Sequence, residues 1–216
     1  RDLMEDLPED LKSSKNFFKQ IVLSVSSWLF EYAAEEVKAD KEFMLMGARA
    51  DVANNWGASV LKYCSETLKT DREFIKDLIT INANEYYNLN DAMKNDRELA
   101  LCAADKVFDA LPDAFKNDEE IIIAYAKTGD WRVFKDLPEG FKVNEKIAYA
   151  YLEGGGDLED IPEEFINYKT LLFSLSHIKE GRDRGYALGK AIEKIDKPVS
   201  LELAQKILGI DLNLVA

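Results

Sequence analysis

The 216-residue chain predicts an all-α fold: an α-solenoid of about seven short helical hairpins, period about 26 residues, with an atypical C-terminal helical cap. Three observations predict it. An apolar residue followed by lysine recurs at Leu11-Lys12, Val37-Lys38, Leu68-Lys69, Met93-Lys94, Phe115-Lys116 and Phe141-Lys142, and a seventh copy, Phe165-Ile166, lacks the lysine. The copies are 26, 31, 25, 22, 26 and 24 residues apart, and self-similarity at such a period marks stacked repeats. No apolar–polar alternation of useful length interrupts them, so strands are not expected.

Taking the apolar residue of each copy as position 0, positions −7 and −4 hold Met4/Leu7, Phe30/Ala33, Leu61/Cys64, Tyr86/Leu89, Phe108/Leu111, Phe134/Leu137 and Leu158/Ile161. Position +6 holds Phe17, Phe43, Phe74, Leu99, Ile121, Ile147 and Leu171. All 28 sites are apolar, where a 47% hydrophobic composition predicts about 13. Positions −7, −4 and 0 share one helical face. Pro8, Pro112, Pro138 and Pro162 stand at −3, where proline is compatible only with a helix start. Those copies should therefore be split into a turn and a short helix. Where Ala34, Ser65 or Asn90 stands instead, the sequence permits one continuous helix.

The lysine at +1 complements the carbonyl end of this helix. Ser14, Asp40, Asp71, Asp96, Asp118 and Asn144 at +3 are N-cap residues for a second helix through +6 and +10, which Gly129 and Gly154-Gly155-Gly156 stop. One hairpin of this size cannot bury its apolar face alone, and a neighbour must cover it. The expected organisation is a repeat array over 1–181, with 182–216 as capping helices packed on it.

Composition narrows the function. The net charge is −13, and residues 109–165 carry 15 Asp+Glu against 6 Lys+Arg. A strongly acidic balance disfavours direct nucleic-acid binding and favours a basic partner. No apolar run reaches the ~20 residues that cross a bilayer, so no membrane partner is expected and the expected location is the cytoplasm, or a host cell if the protein is a delivered effector. Cys64 and Cys102 are too few for a disulfide framework or a zinc site and fall at apolar positions.

The phrases Glu35-Glu36-Val37-Lys38-Ala39-Asp40-Lys41-Glu42-Phe43 and Glu66-Thr67-Leu68-Lys69-Thr70-Asp71-Arg72-Glu73-Phe74 resemble a bacterial and protist family of tandem helical repeats with an E-E-L-K-x-D-x-E-[VF] core. The resemblance is strongest over 30–125 and weaker to about 178. It implies an interaction scaffold, alone or as an accessory part of a larger bacterial protein, and supplies no catalytic residues.

Candidate chemistry is sparse. The Asp-x-Glu pairs recur once per copy before an apolar residue and read as caps, not as an acid–base pair or a calcium loop. His177 is the single histidine and has no nameable nucleophile beside it. Gly154-Gly155-Gly156 lacks the frame of a phosphate loop and reads as a flexible inter-unit turn. No catalytic residue, cofactor or metal is expected. The residues that break the recurrence are the candidates for partner binding: Asn54, Asn55 and Trp56 in the long 31-residue spacing, and Trp28, Tyr86, Tyr87 and Trp131 near the junctions. The expected function is a non-enzymatic scaffold for a protein or peptide partner, and the alternative is an acidic decoy for a nucleic-acid-binding protein.

Overall fold

The computed structural model describes residues 4, 6–166 and 168–177. Their regular elements are all helices, with no strand among them. The expected boundary at 181 and the capping helices of 182–216 lie outside the described residues. None of the described helices is long and apolar enough to cross a membrane. The chain divides into two compact units, Arg1–Phe115 and Lys116–Ala216.

In the first unit a fixed order of elements recurs: a 3-10 turn, a four-residue α-helix, then a longer α-helix. Ser27–Tyr32, Glu35–Lys38 and Lys41–Asn54 follow it, as do Val60–Tyr63, Glu66–Lys69 and Arg72–Ile81, and Ala83–Asn88, Asp91–Lys94 and Arg97–Val107. Glu9–Lys12 and Lys15–Ser24 open the unit. Each long helix packs on the next, and each 3-10 turn packs on the long helix that precedes it. Between these rows lie Phe18, Phe30, Met44, Phe74, Leu78, Tyr86 and Leu99, all fully buried. Each such side chain contributes about 1.5–3 kcal/mol on leaving water. Of the 28 recurring apolar sites in the whole chain, 18 are buried, 10 are half-buried and none is exposed.

The continuous helix permitted at Ala34, Ser65 and Asn90 does not form. Ala34 (φ −64°, ψ 155°), Ser65 (φ −58°, ψ 155°) and Asn90 (φ −71°, ψ 165°) are as extended as Pro8 (φ −56°, ψ 147°) and Pro138 (φ −57°, ψ 145°). Two physical reasons favour the break. An extended step lets residues −4 and 0 both reach the core, as Ala33 with Val37 and Cys64 with Leu68 do. It also turns the Ala34 and Ser65 N–H groups outward, where they donate to the Lys12 and Lys38 carbonyls at 2.9 and 3.1 Å. Propensity yields here to packing and to an inter-element hydrogen bond.

Four-residue helices are too short to persist alone. Here they are held by their apolar residue, buried at Val37 and Leu68 and half-buried at Leu11 and Met93, and by ion pairs three residues apart: Lys12 with Glu9 (2.9 Å), Lys38 with Glu35 (3.5 Å) and Lys69 with Glu66 (2.8 Å). Lys12, Lys38 and Lys69 at +1 thus each have a carboxylate partner.

The acids at +3 do two things. Asp40, Asp71 and Asp96 accept backbone N–H groups of Phe43, Phe74 and Leu99, at 2.9, 3.0 and 3.3 Å. Each also takes a cation from the preceding long helix: Lys15 reaches Asp40, Lys41 reaches Asp71, and Arg72 grips Asp96 with Nε at 2.6 Å and Nη2 at 3.2 Å. Arg72 also donates to Glu98 at 2.5 Å, where Lys76 is a second partner. These cations hold the Asp40, Asp71 and Asp96 carboxyls below the usual range. A lowered pKa means stabilisation that is complete above the ordinary value of 3.8 and is lost as pH falls below it. The pairs are solvent-facing, so a double-mutant cycle of Lys41→Met with Asp71→Asn should give a coupling of about 0.3–1 kcal/mol at pH 7, and less in 1 M salt. Urea unfolding measures it; a coupling of zero at low salt would remove the brace.

The second unit uses other fasteners. Its long helices, Glu119–Ala126, Glu145–Glu153 and Tyr168–Ser176, pack in sequence, with Val133–Asp136, Glu139–Lys142 and Glu163–Phe165 between them. Ile121, Ile122, Ile147, Ala148 and Leu152 fill its core. Glu119 and Glu145 occupy the +4 position held by Lys15, Lys41, Arg72 and Arg97 earlier, which accounts for part of the acidic surplus. Tyrosine hydroxyls take over part of the bracing: Tyr125 donates to Asp136 at 2.9 Å and Tyr151 to Asp160 at 2.5 Å. The glycine cluster is a packed contact, which corrects its reading as a flexible turn. A Cβ on Gly154 would overlap the Lys127 carbonyl, and one on Gly129 (φ +63°) would lie 2.6 Å from the Gly154 oxygen.

Candidate functional site

The long helices of the first unit end on one side in chain segments that depart from the recurrence, and there two shallow clefts adjoin. One, about 260 Å³, is lined by Asp51, Val52, Asn55, Gly57, Ile81, Asn82, Ala83, Asn84 and Lys106. The other, about 350 Å³, is lined by Ile79, Thr80, Ile81, Ala83, Cys102, Asp105 and Lys106. They share Ile81, Ala83 and Lys106 and so form one furrow across the ends of Lys41–Asn54, Arg72–Ile81 and Arg97–Val107.

Each wall has a local cause. Lys41–Asn54 ends where Asn55 turns left-handed (φ 56°), and the Asn55 and Trp56 N–H groups close on the Val52 and Asp51 carbonyls at 3.2 and 3.0 Å. Gly57 (φ +67°) then redirects the chain with open space around it. Val52 is left half-exposed on the rim. Arg72–Ile81 ends differently: the Asn82 N–H closes on Leu78, and the Asn82 side chain accepts the Asn84 N–H at 3.2 Å. The carbonyls of Ile79, Thr80 and Ile81, past the reach of intrahelical donors, receive no other hydrogen bond from the described residues. The Cys102 thiol is half-buried in the second cleft, and burial raises its pKa above the ordinary value.

Beneath the furrow two buried carboxylates hold the 3-10 turns. Asp51 accepts from Ser26 Oγ (3.1 Å), from the Ser27 N–H (3.0 Å) and from Ser27 Oγ. Glu85 accepts from Ser59 Oγ (2.5 Å) and from the N–H groups of Val60 (2.7 Å) and Leu61 (3.3 Å). Each is 1% exposed and completes the start of a turn, so both are structural acceptors with every oxygen engaged.

Of the residues singled out from sequence, Asn55 lines the furrow, while Asn54 and Trp56 flank it, Asn54 bonded back to the Ala50 carbonyl at 2.8 Å. Trp28 lies on the surface edge-to-face with Tyr32, ring centroids 6.0 Å apart. Tyr86 is core: its ring is 0% exposed and its hydroxyl donates to the Lys94 carbonyl at 2.6 Å. Its position at −7 of its copy is the reason, since that site points between the helix rows. Tyr87, its neighbour, faces solvent and donates to Asp109 at 3.2 Å. Trp131 belongs to the second unit, 65% exposed, with Lys135 Nζ 5.9 Å from its ring. Within the first unit, Asn55 lies in the furrow and Tyr86 in the core, and Trp28 and Tyr87 line neither cleft. His177 stacks on Phe173 at 4.3 Å and shares its Nδ1 with the Phe173 carbonyl and Ser176 Oγ, both at 2.9 Å.

Sequence reasoning missed Ile79 to Asn84, Asp105 and Lys106. The available signal was the end of the apolar register after +10, where Asn82, Asn84 and Lys106 follow buried Ile79 and Ala103–Ala104. Comparison of the chain with protein-family models, with curated proteins and with solved structures returns no match.

Proposed function

We propose that the chain is an α-solenoid of about seven stacked helical modules, akin to the bacterial and protist tandem-repeat family, and acts as a non-enzymatic scaffold that binds a protein or peptide partner. One observation carries the reading. The polar residues that recur are occupied in caps and braces, whereas residues that interrupt the recurrence, among them Val52, Asn55, Gly57, Asn82 and Asn84, line an open furrow. In repeat proteins, departures from the consensus are where binding surfaces are carried. Within each unit the long helices pack one on the next, which supports the stacked arrangement.

The test places a photo-crosslinking amino acid at position 55, and as a control at exposed position 16, in the full chain within its native cells. A discrete adduct at 55, absent at 16 and lost when Val52→Arg is added, is the expected result. Identical adduct patterns at both positions, or none at 55, would contradict the reading.

A further inference from the structure

We infer that the furrow takes an extended, basic peptide segment of a partner protein, whose backbone N–H groups and lysine or arginine side chains meet the carbonyl ends of the long helices. The inference rests on the scaffold reading above and names the partner's chemistry. Three observations lead to it. The carbonyls of Thr80 and Ile81 end a ten-residue helix and accept no hydrogen bond from the described residues, and both residues line the second cleft without being buried. Any ligand that displaces their water has to bring donors. Second, Arg97–Val107 and Lys41–Asn54 end at the same furrow, and helix C-termini present partial negative charge. Asp105 adds a full charge on the rim. Third, Ile81, Ala83 and half-exposed Val52 make the walls partly apolar, which suits alternate side chains of an extended strand.

Lys106 is the opposing feature. It lines both clefts and lies 3.8 Å from Asp105, so it partly neutralises the site in the unoccupied protein. Both side chains are more than half exposed, so either can be replaced without disturbing the core. Removing the lysine should strengthen binding of a cationic strand, and reversing the aspartate should weaken it.

The test uses the full chain and a labelled hexapeptide, acetyl-Val-Lys-Val-Arg-Val-Lys-amide, against a twin with glutamate at the three charged positions, followed by fluorescence anisotropy. The basic peptide should bind at least about tenfold tighter than the acidic one, corresponding to one charge-assisted contact. Lys106→Glu should tighten it several-fold, Asp105→Lys should weaken it about tenfold, and N-methylation of the valine amides should weaken it about tenfold. Circular dichroism verifies the fold of each variant. Equal affinity for the two peptides, or a basic-peptide affinity unmoved by both substitutions and by N-methylation, would overturn the inference. The crosslink at position 55 would still stand or fall separately, because it reads contact with a partner whatever its charge.

Discussion

Replacing Gly154 by alanine should destabilise the second unit by roughly 2–5 kcal/mol, although the substitution adds one methyl group. Gly154 has an ordinary φ of −69°, so no backbone preference is at stake and the effect isolates crowding. A Cβ there would overlap the Lys127 carbonyl and lie 2.6 Å from the Gly129 nitrogen, and both obstacles are backbone. Neither can rotate aside as a side chain would. The turns after Glu119–Ala126 and Glu145–Glu153 would have to separate, loosening the packing of those helices. Gly140→Ala is the matched control: it lies in the Glu139–Lys142 helix with nothing within 4 Å of a Cβ, and should be neutral or stabilise by up to about 1 kcal/mol. Urea unfolding followed by circular dichroism separates the two; equal, small effects would contradict the close backbone approach.

Glu85→Ala should cost about 2–4 kcal/mol, the second large effect. Three donors would lose their acceptor: the buried Val60 and Leu61 N–H groups and the half-buried Ser59 Oγ. Glu85→Gln keeps one acceptor and should cost less, about 1–2 kcal/mol. The two also differ in pH dependence. Burial raises the Glu85 pKa above 4.5, opposed by the three hydrogen bonds and reinforced by the charge of Asp51. The folded chain then binds this proton more tightly than the unfolded chain does. The Glu85 contribution therefore falls as pH rises from 4.5 through the raised value, and is flat above it. The Glu85→Gln variant lacks that slope, so its deficit relative to wild type should shrink between pH 4 and pH 7. A deficit that grew instead would mean that the hydrogen bonds outweigh desolvation.

The residues that recur by simple rules were legible in the sequence. Asp40, Asp71 and Asp96 were readable as caps because capping is local and needs only a side chain three residues before its N–H. Their second role was not. The link from Lys41 to Asp71 spans 30 positions and is invisible until the helices are placed side by side. The same holds for Ala34 and Ser65, where local propensity allowed a helix and a carbonyl from the preceding element, Lys12 or Lys38, favours an extended step. Tyr86 and Tyr87 mark the limit for the site. Adjacent tyrosines look equivalent as letters, yet the 3-10 turn of Ala83–Asn88 sends one ring into the core and the other to solvent. The furrow itself was half visible, since Asn55 belongs to an evident insertion. The Thr80 and Ile81 carbonyls that end the neighbouring helix have no side-chain signature at all.

Module deletion tests the stacked arrangement most directly. Removing residues 72–96 excises one period and joins Asp71 to Arg97, restoring the sequence Asp-Arg-Glu-apolar and the cap for the following helix. Removing 72–84 takes out half a period and leaves the register broken. The account predicts that the first variant folds cooperatively, with helicity per residue near wild type. Its midpoint should be lower, because the donors served by Glu85 lose about 1–3 kcal/mol. The second variant should not fold. If urea unfolding monitored by circular dichroism finds the full-period deletion as unfolded as the half-period one, the helices are parts of a single indivisible core and the modular account is wrong.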